Sequence, residues 1–296
     1  SKKMHFNREG ISLGGWRAAL SGSREKMDIR SFVEKMKEMR LPESVFVDCT
    51  ASDEITRHYA GILDAGISIV TPNKRANSGA YKDYLELKTR AQKHGVKFLY
   101  ETNVGAGLPV ISTLHDLIAS GDTILKIEGI LSGTLSYLFN SYDGNRPFSA
   151  IVREAHKLGF TEPDPRDDLG GEDAARKLLI LARQIGWEME LKDIRVENLI
   201  PPRLRRLNTK RFLEKLPSVD RAYREILDQA RSNGCVLRYV ATLANRCGSA
   251  ALVEIPKDHP FASTKGSDNI FAFTTDRYSR TPLIVQGPGA GAEVTA

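Results

Sequence analysis

The chain has 296 residues, 41% of them apolar and 27% charged, and its 43 basic against 37 acidic side chains leave a formal net charge of +6. That length buries a sizeable core and suits two globular lobes, and the balance of apolar and charged residues gives no basis for a disordered chain. No stretch approaches the roughly 20 apolar residues of a membrane span and no basic-apolar-small leader opens the chain, so a soluble, cytoplasmic protein without a membrane partner is expected. Cys49, Cys235 and Cys247 fit neither a disulfide framework nor a zinc site. The densest basic stretch, 202–211, lacks interleaved aromatics; it reads as a solvated connection or helix end, and no nucleic-acid partner is expected.

In chain order, the first third has an α/β rhythm. Val45 to Asp48 suits a buried strand, Ser52 or Asp53 can cap a helix stopping at Gly66, and Ile67 to Val70 is the next strand. Ser78 then precedes a helix with Tyr81, Tyr84, Leu85 and Lys88 on one side and Gly95 at its end, followed by a strand from Val96 to Tyr100. Such alternation implies crossovers and a parallel sheet, with ligands beyond the carboxyl ends of its strands. The residues leaving those ends are Cys49, Thr50 and Ala51, then Thr71 to Lys74, then Glu101 to Val104. Pro72 fixes the backbone that delivers the Lys74 amine to the crevice mouth.

Val104-Gly-Ala-Gly-Leu108 reads as a tight turn into a helix, with Pro109 at its first position and Gly121 past its end. A strand over 124–131 leads into a helix starting near Gly133 and Thr134, whose exposed amides suit a carboxylate, though a plain capping threonine reads equally well. Runs at 235–243, 250–255, 270–275 and 283–285 are separated by turn residues and suggest a mixed or antiparallel sheet, hence a second lobe. Between them lies the densest chemistry: Pro163 and Pro165 hold open a loop that crowds Glu162, Asp164, Asp167 and Asp168 around Arg166, and a helix then sets Asp173 four residues before Lys177. The residues alone admit a solvated charged face or a pocket for a small cation beside a positioned amine. Lys177 falls at the edge of the apolar stripe Ala174, Leu178, Leu181, Ala182 and Ile185, where it is partly desolvated.

The run from Ala155 to Lys177 resembles the signature of homoserine dehydrogenase, with Ala155, Gly159, Thr161, Asp164, Pro165, Asp168, Leu169, Gly171, Asp173 and Lys177 in register. Similar matches occur at 71–79, 101–109, 128–140 and 287–296. The resemblance implies an NAD(P)-dependent enzyme interconverting L-homoserine and L-aspartate 4-semialdehyde, in the biosynthesis of threonine and methionine. Lys177 would be the acid/base group, Asp173 would fix its amine, and Lys74 would stand between cofactor and substrate. Glu162, Asp168, Gly133 and Thr134 would hold the substrate. Thr50, Ala51 and Gly291, with Ser1, Lys2 and Lys3 near the adenosine ribose, would contact NADP or NAD, and Glu101, Val104, Ala106 and Leu108 would bind sodium or potassium. The resemblance also implies a homodimer and makes an upstream aspartate kinase domain plausible.

The expected architecture is a Rossmann-type parallel-sheet cofactor domain over 1–108 with 287–296, and an α+β substrate and dimerisation domain with a mixed sheet over 109–286. No G-x-G-x-x-G precedes Val45, so the first β-α unit is expected to lie outside this chain. Phe160 stands where the family frequently has tyrosine. Two other readings compete: an amino-acid-binding regulatory module, and semialdehyde oxidation through a cysteine thioester, for which Cys49 lacks an evident histidine partner.

Overall fold

The computed structural model describes residues 2–289, and these fall into two compact units, 2–76 with Lys82–Tyr100, and Asn77–Tyr81 with 101–289. The first unit holds three parallel strands in the order β1-β2-β3: Val45–Val47, Ser68–Val70 and Phe98–Leu99. Phe46, Ile69 and Phe98 share one register row and one face, where Tyr59, Ile62 and Leu63 bury them. Tyr59 meets Phe46 and Phe98 edge-on at 6.5 and 5.9 Å. On the opposite face Val45, Val47, Val70 and Leu99 stay exposed, although parallel sheets are ordinarily covered on both sides.

Two helices of this unit depart from the sequence expectation. Ser52 does cap a helix, accepting from the Glu54 amide at 3.1 Å, but it runs only over Asp53–Thr56 before a second helix over Tyr59–Asp64. The Thr56 hydroxyl bonds back to the Asp53 carbonyl at 2.9 Å and closes that first turn on itself. In the helix Tyr81–Lys93 the buried row is Tyr84, Leu87 and Ala91, while Leu85 is exposed. Helical spacing of three and four places Leu87 on the core side and swings Leu85 away from it.

The second unit is built on a six-stranded mixed sheet in the order β5-β7-β6-β4-β8-β9. Its strands are β4 Ile124–Ile130, β5 Ile194–Val196, β6 Cys235–Ala244, β7 Cys247–Pro256, β8 Asn269–Thr275 and β9 Leu283–Gly287. Only β5 pairs in parallel, with β7. Asn245 and Arg246, both at positive φ, close β6 and β7 into one long hairpin. Leu237, Tyr239, Ala241 and Leu243 of β6 alternate onto one buried face. The helices Glu172–Gln184 and Asp220–Ser232 pack against this strand.

Glu101 belongs to the second unit because both its carboxylate oxygens accept amides at the start of the helix Val110–Ala119, from Ile111 at 2.8 Å and Ser112 at 2.9 Å. Pro109 sits at the cap of that helix, one place before the position expected, and Gly121 ends it at φ 82°. The Gly287 end of the chain pairs with Asn269 and so stays in the second sheet. The remainder of the expected return segment, including Gly291, lies outside the described residues, as does Ser1.

Candidate active site

The helix Glu172–Gln184 starts at Gly171, whose φ of 75° and crowding make it glycine: a Cβ there would stand 2.1 Å from the Tyr239 hydroxyl. Alanine and leucine fill the buried side of this helix, and the Lys177 side chain, 13% exposed, rises at its edge. Its ammonium donates to Asp173 Oδ2 at 2.7 Å and to the Leu131 carbonyl at 2.8 Å. Leu131 is the buried residue leaving β4, and it is followed by the cap Ser132, whose Oγ accepts from the Leu135 amide at 3.3 Å. The cap is therefore Ser132 and not Thr134, which leaves the Thr134 hydroxyl to donate to the Phe160 carbonyl at 2.7 Å.

The loop 160–168 separates its acids, contrary to the expectation that four of them crowd Arg166. Asp164 alone forms the ion pair with Arg166; it caps the short helix Pro165–Leu169 and accepts from Thr209 at 3.1 Å. The Arg166 guanidinium holds the Asp164 carboxyl down at about 2. Asp168 turns the other way and accepts from the Glu162 amide at 2.8 Å. Burial pushes its carboxyl up to about 6, against the pull of the Glu162 amide and the Thr134 hydroxyl, with the charges of Glu162 and Asp173 adding to the rise. Glu162 itself is exposed, and the Phe160 ring lies tilted against Tyr137 at 4.7 Å between centroids. Lys177, Asp173, Asp168, Glu162, Gly133 and Thr134 thus gather in one unit around a lysine amine and a protonatable carboxyl.

In the first unit, the strand ends carry a buried network that sequence reading missed. Asp48 accepts from the Tyr59 hydroxyl at 2.5 Å, Asn73 Nδ2 at 3.0 Å and the Thr50 amide at 2.8 Å, and the Thr71 hydroxyl donates to the Asp48 carbonyl at 2.9 Å. Burial would raise the Asp48 carboxyl, but the bonds from Tyr59, Thr50 and Asn73 outweigh it and hold the group below its usual range. The network fixes both loops that carry Thr50, Ala51 and Lys74. The only signal for it in the sequence was a polar residue directly after each of two apolar strands. Lys3 bridges to Lys26 and its amine donates to the Ser21 carbonyl, while Lys2 is exposed.

At the turn proposed for a cation, Gly105 and Ala106 are left-handed, and a Cβ on Gly105 would stand 2.5 Å from Val110. The Leu108 carbonyl accepts from the Val110 amide at 2.8 Å. Both carboxylate oxygens of Glu101 accept amides of the helix Val110–Ala119, beside the carbonyls of the turn. Cys49 is exposed.

One chain thus carries a parallel α/β unit and a mixed-sheet unit with a lysine and acid cluster. The family model for homoserine dehydrogenase matches residues 109–296, and that for the homoserine dehydrogenase NAD binding domain matches 4–101. A homoserine dehydrogenase from Schizosaccharomyces pombe is 42% identical over 295 residues, spanning 97% of this chain and 78% of that protein. The chain belongs to the homoserine dehydrogenase family. The chloroplastic bifunctional aspartokinase/homoserine dehydrogenase 2 of Zea mays is 49% identical over all of this chain, which spans only 33% of that relative. Among solved structures, a Candida auris protein described as of unknown function superposes with a TM-score of 0.92 at 39% identity, covering 100% of this chain and 85% of that one. A putative homoserine dehydrogenase from Archaeoglobus fulgidus gives a TM-score of 0.78 at 25% identity, over 97% and 81% of the two chains.

Proposed function

We propose that this chain forms the centre of a homoserine dehydrogenase that interconverts L-homoserine and L-aspartate 4-semialdehyde with NADP or NAD. The observation that carries the reading is the Lys177 ammonium, held between Asp173 and the Leu131 carbonyl. The match of an NAD-binding family model over 4–101 favours an enzyme over an amino-acid-binding module.

Lys177 gives a proton to the aldehyde oxygen in reduction and takes it from the hydroxyl in oxidation, while Asp173 keeps its amine in place. Glu162 and Asp168 receive the substrate ammonium, and the first amides of the helix Gly133–Ser141 receive its carboxylate. Lys74 polarises the reacting oxygen or joins the proton relay. Thr50, Ala51 and Lys74, on loops fixed by the Asp48 network, hold the cofactor, with Lys2 and Lys3 facing its ribose. The nicotinamide, when bound, supplies or accepts the hydride. Carbonyls of Glu101, Val104, Ala106 and Leu108 suit a sodium or potassium ion, since hard cations take oxygen ligands.

Two further parts of the reading concern assembly. The sheet face carrying Ile130, Val240, Ile270 and Ala272 is plugged by Phe261, and beyond this plug Ile284 remains exposed, so this face is the proposed homodimer contact. A fused aspartate kinase is proposed from the Zea mays relative's name and length. Among the described residues no helix is long and apolar enough to cross a membrane. The deciding experiment is NADPH oxidation on addition of L-aspartate 4-semialdehyde. Turnover dependent on Lys177 supports the reading; NADPH binding without turnover defeats it.

A further inference from the structure

The helix Phe148–Lys157 ends in a turn that folds the following loop back onto it. The Phe160 amide donates to the Ala155 carbonyl at 2.9 Å and the Gly159 amide to the His156 carbonyl at 3.2 Å, with Gly159 at φ 76°. This pair of bonds around a left-handed glycine reverses the chain, and Thr161 lands on His156, its Oγ1 3.0 Å from Nδ1. The same Thr161 hydroxyl donates to the Glu162 carbonyl at 2.8 Å. A hydroxyl has one proton to give, so with that proton on the Glu162 carbonyl the contact with His156 needs Nδ1 as the donor. The Glu162 backbone is then held at both its polar groups, since its amide donates to Asp168 Oδ2 at 2.8 Å.

We propose that His156 is the positioning residue of the ammonium pocket: its Nδ1–H donates to Thr161, whose hydroxyl in turn fixes the Glu162 backbone against Asp168. The inference rests on the dehydrogenase reading above, in which Glu162 and Asp168 receive the substrate ammonium. Glu162 is exposed on a loop, where an untethered backbone would have to be ordered each time the ammonium binds. His156 is half-buried on a regular helix and gives the tether a rigid base. In the neutral ring the proton sits on Nδ1 and leaves Nε2 bare, because the tautomer follows the bond that is made. His156 thus acts through Thr161 and Glu162 rather than on the substrate itself.

Long-range proton–nitrogen correlation spectra of the histidine-labelled chain, assigned with His156→Asn, read the tautomer directly. Nδ1–H is expected at His156, and Nε2–H in the neutral ring overturns the proposal while leaving the dehydrogenase reading intact. Exchange of the Glu162 amide should be about three- to tenfold faster in His156→Leu and in Thr161→Val, the scale of one hydrogen bond. It should stay near wild type in His156→Asn, whose Nδ2 takes the place of Nδ1. In turnover, His156→Leu should raise the KM for homoserine by a similar factor, with kcat and the KM for the cofactor unchanged, and adding Thr161→Val should raise it no further. An unchanged KM for homoserine, an equal rise in both KM values, or no rescue by asparagine overturns the proposal. If His156→Leu does not fold, the wild-type tautomer and Thr161→Val decide. A wild-type chain with the Nδ1–H tautomer but no turnover overturns the dehydrogenase reading and the pocket role together.

Discussion

Replacing Lys177 by alanine separates the chemical role of this side chain from its structural one. A positioned proton donor contributes about 10²–10⁴-fold to rate, or roughly 2.7–5.5 kcal/mol of barrier. The structural cost is smaller and has two sources. The carbonyl of buried Leu131 loses its donor, worth about 1–3 kcal/mol, and the Asp173 pair, with that carboxylate 44% exposed, adds about 0–1 kcal/mol. At about 2–4 °C per kcal/mol the variant should melt several degrees lower and still be folded at room temperature. Turnover at saturating semialdehyde should collapse, while NADPH affinity by fluorescence stays near that of the wild type. Lys177→Arg should also fail, because a guanidinium stays protonated and cannot take the proton back. Turnover of Lys177→Ala within about threefold of wild type would remove this residue from the mechanism.

Asp168 makes a pH-dependent contribution. Its folded carboxyl titrates at about 6 against an ordinary 3.8, so the folded chain binds that proton more tightly than the unfolded one. Wild type should therefore lose stability relative to Asp168→Asn as pH rises from about 4 to about 6, and a calorimetric series without that crossover contradicts the assignment. Glu162→Gln and Asp168→Asn should each raise the KM for homoserine more than that for the cofactor; an alcohol lacking the α-amino group that serves wild type equally well defeats the ammonium pocket. Gly171→Ala should cost more than about 2 kcal/mol in chemical denaturation, from its positive φ and the approach to Tyr239, and less in a Tyr239→Phe background; equal cost in both would show that the hydroxyl is not the obstacle. Light scattering at micromolar concentration should report about twice the 32.8 kDa chain mass, and a fully active, concentration-independent monomer would sink the dimer.

The parts of the fold legible in the sequence are those set by local rules. Alternating apolar runs and helix stops located β1 to β4 and the long strands of the second sheet, because buried strands are continuous in sequence. The contact of Asp173 with Lys177 follows from their spacing on one helix, and is realised at 2.7 Å. β5 was not legible: Ile194–Val196 is three residues long and is a strand only because it pairs with 248–250 of β7. Leu85 and Leu87 have the same composition signal, and only the position of the core chooses between them. The Asp48 network likewise joins residues up to 25 apart, which no local pattern marks.

Asp164 and Asp168 show where sequence reasoning stops, since they lie one turn apart on one acidic segment and were indistinguishable as letters. The fold gives Asp164 the Arg166 fork and Asp168 a half-buried place beside Glu162 and Asp173, so one carboxyl is held at about 2 and the other lifted to about 6. Two like groups driven apart by their surroundings take different work: the ionised one anchors a loop, and the lifted one can meet an incoming ammonium, whose charge favours releasing the proton. A cation entering there would offset the cost of ionising Asp168, while Asp164 is already paired with Arg166. In the proposed reading, selectivity for an α-amino substrate depends on Asp168 remaining poorly solvated, and any change that opens 160–168 to water should weaken ammonium recognition even with every carboxylate still present.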